Sequence, residues 1–436
     1  MKKIALLLVI AGILSSCSQT PTITQTPIVQ NEDYELIINN LLKSTDETAA
    51  QDRQIAFWEE KTSREKSGYL YHEKLGKLYN EKFESSGDLH YIHKANSHFD
   101  QAANYAKGNY KANMLLQQSS NFIKLHQFGK AKEKCLAAFS FSNDSFGVSM
   151  MLFDALMELG DYNEAGEIME IYAGSTSFDY LVRYGKYLDH LGDLDAAIIH
   201  TERALSSLTS IEKNKNNWVS THLADMYGHQ GEIRKSYKSY ISVLEEDPHN
   251  LHALRGIGWI AYSYDRNYDI AQEIFEHIAK TTALPDAHLM LADIAAAQDL
   301  NLEQKSQEDK FLSLVRSKQL EDLYNDYLIG LYVEEEPQKA LRLAESECME
   351  RKTPSIYVSL AKAHYYNNQH GEAKRILENE VLGKTFEPGN IYESGKILMN
   401  IGEKQKGRLL LQEVSDAAFE LGPIVQKDIE QLLELS

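Results

Sequence analysis

Small residues return along this chain at a nearly constant interval. Ala95, Ala131, Ala165, Ala197, Ser236, Ala271, Ala340, Ala373 and Gly407 lie 36, 34, 32, 39, 35, 69, 33 and 34 residues apart. The 69 is two periods with one degenerate unit between. A unit of this length cannot bury its apolar face alone, so copies must stack end to end instead of closing one globular core. The 436 residues would otherwise suggest two or three globular domains. Here they make one elongated body.

The stretch from Asn216 to Asn250 shows what each copy contains. Leu223, Ala224 and Tyr227 fall on one stripe of an amphipathic helix. Gly231 stands where that helix must stop, since glycine enters the left-handed region without a steric penalty. Ile233, Ser236, Tyr240 and Val243 form a second stripe, and Pro248 ends it for want of an amide donor. The same frame yields Leu152, Leu156, Gly160, Tyr162 and Ala165 upstream, then Tyr184, Gly185, Leu188, Gly192 and Ala197. Downstream it yields Leu360, Ala361, Ala373 and Leu377, then Gly395, Leu398, Gly402, Gly407 and Leu411. None of the 8 prolines is expected inside a helix.

This pattern resembles the tetratricopeptide repeat family, most clearly over 112–280 and 356–415 and less so over 68–105 and 286–350. The resemblance implies an all-α solenoid of about nine stacked helix-turn-helix repeats in a right-handed superhelix. The repeats would occupy 68–423, with capping helices at 32–67 and 424–436. In such a pair, a small residue on the first helix must face one on the second so that the axes can approach. Gly76, Ser119, Gly185, Ala224, Gly258, Ala292, Ala361 and Gly395 hold the first position, whereas Phe153 and Leu328 depart from the rule and predict altered packing.

The amino terminus carries its own signal. Lys2 and Lys3 precede an apolar run from Ile4 to Leu14, which is too short to span a bilayer and reads as a secretory leader over 1–16. Leu14-Ser15-Ser16-Cys17 resembles the bacterial lipobox, which implies lipidation of Cys17 after cleavage; the alternative is an ordinary leader with an incidental cysteine. Several acyl chains anchor far more firmly than one. Ser18 follows the cysteine without an aspartate or an acidic run, which implies an outer-membrane lipoprotein facing the periplasm. The Ser-, Thr-, Gln- and Pro-rich stretch up to residue 31 reads as a flexible tether spanning about 20 Å.

Loss of Lys2 and Lys3 from the 45 basic residues, set against 64 acidic ones, leaves a net charge of about −21. Such a surface excludes nucleic acid as a partner, because phosphate neutralisation needs clustered Lys and Arg. It is compatible with a cationic partner, although solvation of outward helix faces is the simpler account of the charge. Cys135 and Cys348 sit in distant units and are expected to be buried free thiols.

Catalytic constellations are missing. No phosphate loop, nucleophile elbow or paired-cysteine metal motif occurs. His90, His93 and His98 lack a completing carboxylate or cysteine, and His249 and His252 sit at an ordinary junction, so neither a metal nor a cofactor is expected. Asp154, Asp225 and Asp293 hold equivalent places on first helices, which argues for a shared structural or groove role.

In the family it resembles, first helices line a concave groove. Projecting the frame places Asp179, Arg183, Lys186 and Asp189 there from one unit, Trp218, His222, Asp225 and His229 from the next, and His252, Arg255, Trp259 and Tyr262 from a third. Aromatic and guanidinium side chains dominate binding hot spots, and Trp218 and Trp259 are two of only 3 tryptophans. The competing expectation is that these aromatics merely pack between helix pairs. The functional expectation is a non-enzymatic scaffold that holds an extended peptide or protein segment. The alternatives are glycan capture, disfavoured by the lack of long insertions, and an accessory role for an envelope enzyme or assembly machine.

Overall fold

A computed structural model describes residues 27–30, 32–33, 46–65 and 68–434. Among these, regular structure is entirely helical. A leading helix α1 (Asp46–Arg64) precedes ten pairs. The first five are α2 (Tyr69–Ser86) with α3 (Leu89–Tyr105), α4 (Gly108–Lys124) with α5 (Phe128–Phe139), α6 (Ser145–Leu159) with α7 (Tyr162–Ile171), α8 (Phe178–His190) with α9 (Leu194–Ser206), and α10 (Lys213–His229) with α11 (Ile233–Glu246). The next three are α12 (Leu251–Trp259) with α13 (Tyr268–Thr281), α14 (Asp286–Ala297) with α15 (Asn301–Lys318), and α16 (Glu321–Tyr332) with α17 (Pro337–Glu350). Then come α18 (Pro354–Tyr366) with α19 (His370–Ile376), α20 (Pro388–Asn400) with α21 (Lys404–Glu413), and a last helix α22 (Ala418–Glu434).

The chain is therefore an all-α solenoid. Among the described residues it has ten pairs, because the degenerate unit inside the 69-residue gap, α14 with α15, folds as a full pair. Its second helix turns Gln307, Phe311 and Val315 inward where other units bring a small residue. Helix starts follow local chemistry: Asp144, Ser177, Asp193, Asn250, Asn267 and Thr353 each accept a backbone N–H from the first turn. Such a cap contributes about 1 kcal/mol. Pro423 falls at a break as expected: Gly422 adopts the non-helical φ 74° and ψ 173°, so α22 is two helical segments meeting at a kink, with Pro423 opening the second.

The small residues do bring paired helices together. A Cβ on Gly185 would stand 2.5 Å from Thr201 Oγ1, and one on Gly407 would stand 2.6 Å from the Gly395 carbonyl oxygen. Ser119 Oγ donates to the Ala131 carbonyl at 3.0 Å. Phe153 and Leu328 are buried in the same positions despite their bulk, and Phe153 meets Tyr187 edge to face at 6.3 Å. Cys135 is buried and Cys348 half-buried, both as free thiols.

The solenoid coils until its successive turns touch. In pair 1, Ala283 N–H donates to the Ser86 carbonyl at 2.8 Å; in pair 3, Lys352 N–H donates to the Leu159 carbonyl at 2.9 Å. In pair 4, Gly192 packs on the Phe386 ring, and in pair 5, Gly228 packs on Phe419. Each of these contacts joins the first helix or internal turn of one pair to the segment that follows the pair five further on, an inter-pair connection in the first three cases and the start of α22 in the fourth. The coil thus closes over its own groove. What the sequence suggests as an open concavity is an interior lumen.

The amino-terminal side brings a correction. Cys17, the leader and most of the tether lie outside the described residues, but residues 27–30 are not a flexible tether. Ile28 and Val29 are buried in the core that spans α10 to α14. Their backbone N–H groups donate to the Asp265 carboxylate at 2.9 and 2.8 Å, and Gln30 N–H donates to the Tyr237 hydroxyl at 3.3 Å. Two adjacent amides on one carboxylate make charge-assisted bonds, each worth about 1.5–3 kcal/mol. Replacing Asp265 with alanine should therefore release this strap. Hydrogen exchange at Ile28 and Val29 should rise at least tenfold while α12 keeps its protection; unchanged exchange at both amides would show that apolar burial alone holds them.

Candidate functional site in the lumen of the coil

Neighbouring first helices are joined by polar rungs across the inner face. Between α6 and α8, Arg183 Nη2 lies 2.6 Å from Asp154 Oδ2, and Lys186 Nζ lies 2.8 Å from Glu158. Between α10 and α12, His252 Nε2 lies 2.8 Å from Asp225 Oδ2, and Tyr240 also donates to Asp225. Between α12 and α14, Arg255 Nη2 lies 2.9 Å from Asp286, which also accepts from Tyr324. Further on, Ser359 donates to Asp326 at 2.5 Å, and Lys362 pairs with Glu393 at 2.8 Å. Partners this close hold the charges where they are. Burial pulls Asp225 upward, yet His252 and Tyr240 outweigh it and its carboxyl titrates below its ordinary range. Lys186 is treated likewise: burial opposes its charge, and Glu158 with Asp154 carries the net shift upward.

A cavity of about 680 Å³ lies inside the coil. Its wall comes mainly from α10, α12, α14 and α16, with Ser236 and Tyr240 of α11, Phe275 of α13, Phe83, Lys124 and His126 from the first turn of the coil and Phe419 from the start of α22. The repeat itself selects the lining. Steps of one 34-residue period from Asp225 land on Trp259, Asp293 and Tyr327, and all four line the cavity. The same step carries His252 to Asp286 and Arg255 to Leu289 and Leu323, which line it too.

The predicted groove residues divide into groups. Asp225, His229, His252, Arg255 and Trp259 line this cavity. Trp218 is half-exposed and its ring meets His222 at a tilt, with centroids 4.2 Å apart, and the His222 ring lies 5.4 Å from that of His252, which continues the surface toward α10. Asp179 is exposed, and its carbonyl accepts from Arg183 at 2.9 Å. Arg183 and Lys186 are each held in their rungs, by Asp154 and Glu158.

Two residues need correction. Tyr262 is only 2% exposed and belongs to the core. The reason is local: Ile260–Tyr264 is a π-helical turn, whose extra residue per turn rotates the side chains that follow Trp259 away from the inner face. Trp259 keeps its place, but its indole N–H is spent on the Phe419 carbonyl at 3.0 Å, which also accepts from Ser263 at 2.6 Å. The chain's own carboxyl-terminal segment thus occupies one edge of the predicted hot spot.

Sequence reasoning missed Asp286, Tyr324 and Tyr327, although the period reaches each of them from a residue it did choose. Phe83, His126 and Phe419 had no such signal, since they arrive from other turns of the coil. Of the candidate metal histidines, His98 pairs with another histidine: its Nδ1 lies 2.9 Å from His72 Nδ1, and burial lowers His98 to about 4. Among the described residues, no cluster of three or more His, Cys, Asp or Glu is arranged to hold a metal ion.

No protein-family profile matches the chain, and no curated sequence does. Solved structures resemble it at low identity. A tetratricopeptide repeat protein from Parabacteroides merdae is 18% identical, covering 67% of this chain and 98% of its own, with a TM-score of 0.30. Yeast Tom70 is 13% identical, covering 93% and 96%, at 0.34. A human IFIT1 dimer with PPP-AAAA is 12% identical, covering 89% and 94%, at 0.45. The likeness is to TPR-like helical repeats, and at these TM-scores it carries no residue or ligand across.

Proposed function

We propose that this TPR-like solenoid is a non-enzymatic scaffold that holds an extended peptide or protein segment in its lumen. A lipid on Cys17 would tether it to the outer membrane, facing the periplasm. The observation that carries the reading is the periodic lining: four consecutive first helices offer Asp225, Trp259, Asp293 and Tyr327 at one register, as a site for an extended chain would require. The carboxylates of the other rungs are paired internally, which suits a surface that positions a ligand more than one that transforms it.

A photo-reactive residue at position 327 should crosslink in intact cells to a defined peptide segment mapped by mass spectrometry, whereas one at the outward Leu302 should not. Equal crosslinking from both positions would remove the lumen as the binding surface. The anchor is tested separately. Replacing Cys17 with alanine should abolish labelling by an alkyne fatty acid and shift the protein from the membrane to the soluble envelope fraction; retained label would refute lipidation there.

A further inference from the structure

Asp154, Asp225 and Asp293 are equivalent by sequence, yet the structure treats the third differently. Asp154 has Arg183 and Asp225 has His252. Asp293 has no hydrogen-bond or ion-pair partner among the described residues, although it lines the cavity and its side chain is open to water. The cavity that Asp293 lines also has aromatic walls: Trp259 from α12, Tyr324 and Tyr327 from α16, and Phe83 from the first turn of the coil. Tyr327 keeps 58% of its surface accessible, so the wall is neither sealed nor packed shut. The lining cations Arg255 and Lys124 are already held, by Asp286 at 2.9 Å and by Glu84 respectively.

We propose that the lumen beside Asp293 receives a primary ammonium or guanidinium group, namely a Lys or Arg side chain of the bound segment, with Asp293 as its counter-ion and Trp259, Tyr324 and Tyr327 as its aromatic walls. This rests on reading the lumen as a peptide site and names the side chain that the site selects. A cation over aromatic faces is attracted by their quadrupoles, and a carboxylate among them completes the recognition that aromatic cages use for ammonium ligands. The chain's net charge of −19 would raise the local concentration of such a segment.

The electrostatics around Asp293 favour a cation. Burial pushes Asp293 up to about 7, and Glu308 on α15 adds to the rise. Water nonetheless reaches its side chain, so the crowding comes from protein encircling a wet lumen and not from a dry core. The other titratable groups that sense Asp293 are the hydroxyls of Tyr262 and Tyr327, both raised chiefly by burial. An arriving cation would displace the proton from Asp293, so its affinity should increase as pH rises through 7.

The test uses the full chain in detergent and three dye-labelled Gly/Ser peptides of equal length, bearing one Lys, one norleucine or one Glu. The Lys peptide should bind at least tenfold more tightly than the norleucine peptide at pH 8, with the preference shrinking at pH 5.5 and the Glu peptide weakest. Asp293→Asn should erase the preference with an unchanged melting temperature at pH 5.5, and Asp293→Glu should retain part of it. Equal binding of the Lys and norleucine peptides would overturn the cation site and leave the scaffold reading standing. A Lys preference that survives Asp293→Asn would also overturn it, by placing the cation elsewhere. Failure of all three peptides to bind would remove both readings.

Discussion

Replacing Gly160 with valine is expected to destabilise the protein by about 2–4 kcal/mol and to loosen the contact between turns of the coil. Two costs coincide there. Gly160 sits at φ 82°, the left-handed region, in the turn between α6 and α7. A residue with a Cβ pays about 1–2 kcal/mol to stay there. Its Cβ would also stand 2.5 Å from the Lys352 carbonyl oxygen and 2.7 Å from the carbonyl carbon. Those are backbone atoms, and the same segment is held by the bond from Lys352 N–H to the Leu159 carbonyl, so no side chain can swing aside.

Gly231 provides the control. It has φ 83°, yet nothing lies within 4 Å of where its Cβ would be. Gly231→Ala should therefore cost only the backbone strain, whereas Gly160→Ala should cost measurably more. Thermal melts give the difference, and small-angle scattering should show a larger radius of gyration for Gly160→Val alone. Equal losses at the two glycines would mean that the turns of the coil do not bear on one another.

The second large effect is expected within a single pair. Gly407 lies in α21, where an open-surface glycine would gain about 0.4–1 kcal/mol on replacement by alanine. Gly371 in α19 has nothing within 4 Å and should behave in that way. Gly407 should not. Its Cβ would meet the Gly395 carbonyl oxygen at 2.6 Å and the Met399 amide nitrogen at 2.8 Å, both backbone atoms of α20. Valine there must push the two axes apart, at a cost of about 2–4 kcal/mol in lost contact and strain. A solenoid transmits such damage only to its neighbours. Hydrogen exchange should accordingly quicken across α18 to α22 and remain unchanged in α4 to α9. Uniform loss of protection along the whole chain would show that the turn-to-turn contacts make the coil one cooperative unit.

The particular successes and misses share one cause. Gly76, Gly185, Ala224 and Ala361 could be identified as contact positions because the partner of each lies within the same 34-residue copy, where spacing alone specifies the geometry. Asp225, His252, Arg255 and Trp259 could be placed on the inner face for the same reason. Tyr262 was misplaced because one extra residue in a π-helical turn leaves no mark on composition or period. The docking of Ile28 and Val29 on Asp265, 237 and 236 residues away in sequence, was equally invisible, since Ser, Thr, Gln and Pro around them argue only for a solvated chain.

The repeat by itself determined that the chain is helical, that its helices pair, where they stop and which of their faces turn inward. These are local consequences of side-chain period, glycine backbone freedom and the missing amide of proline. Whether the coil stays open or closes was decided by the tertiary structure alone. Each pair adds a small rotation set by its packing, and those rotations accumulate over five pairs before Ser86 meets Ala283 or Leu159 meets Lys352. An error of a few degrees per pair, which no residue spacing records, separates a groove open to solvent from a lumen walled by two turns of the same chain.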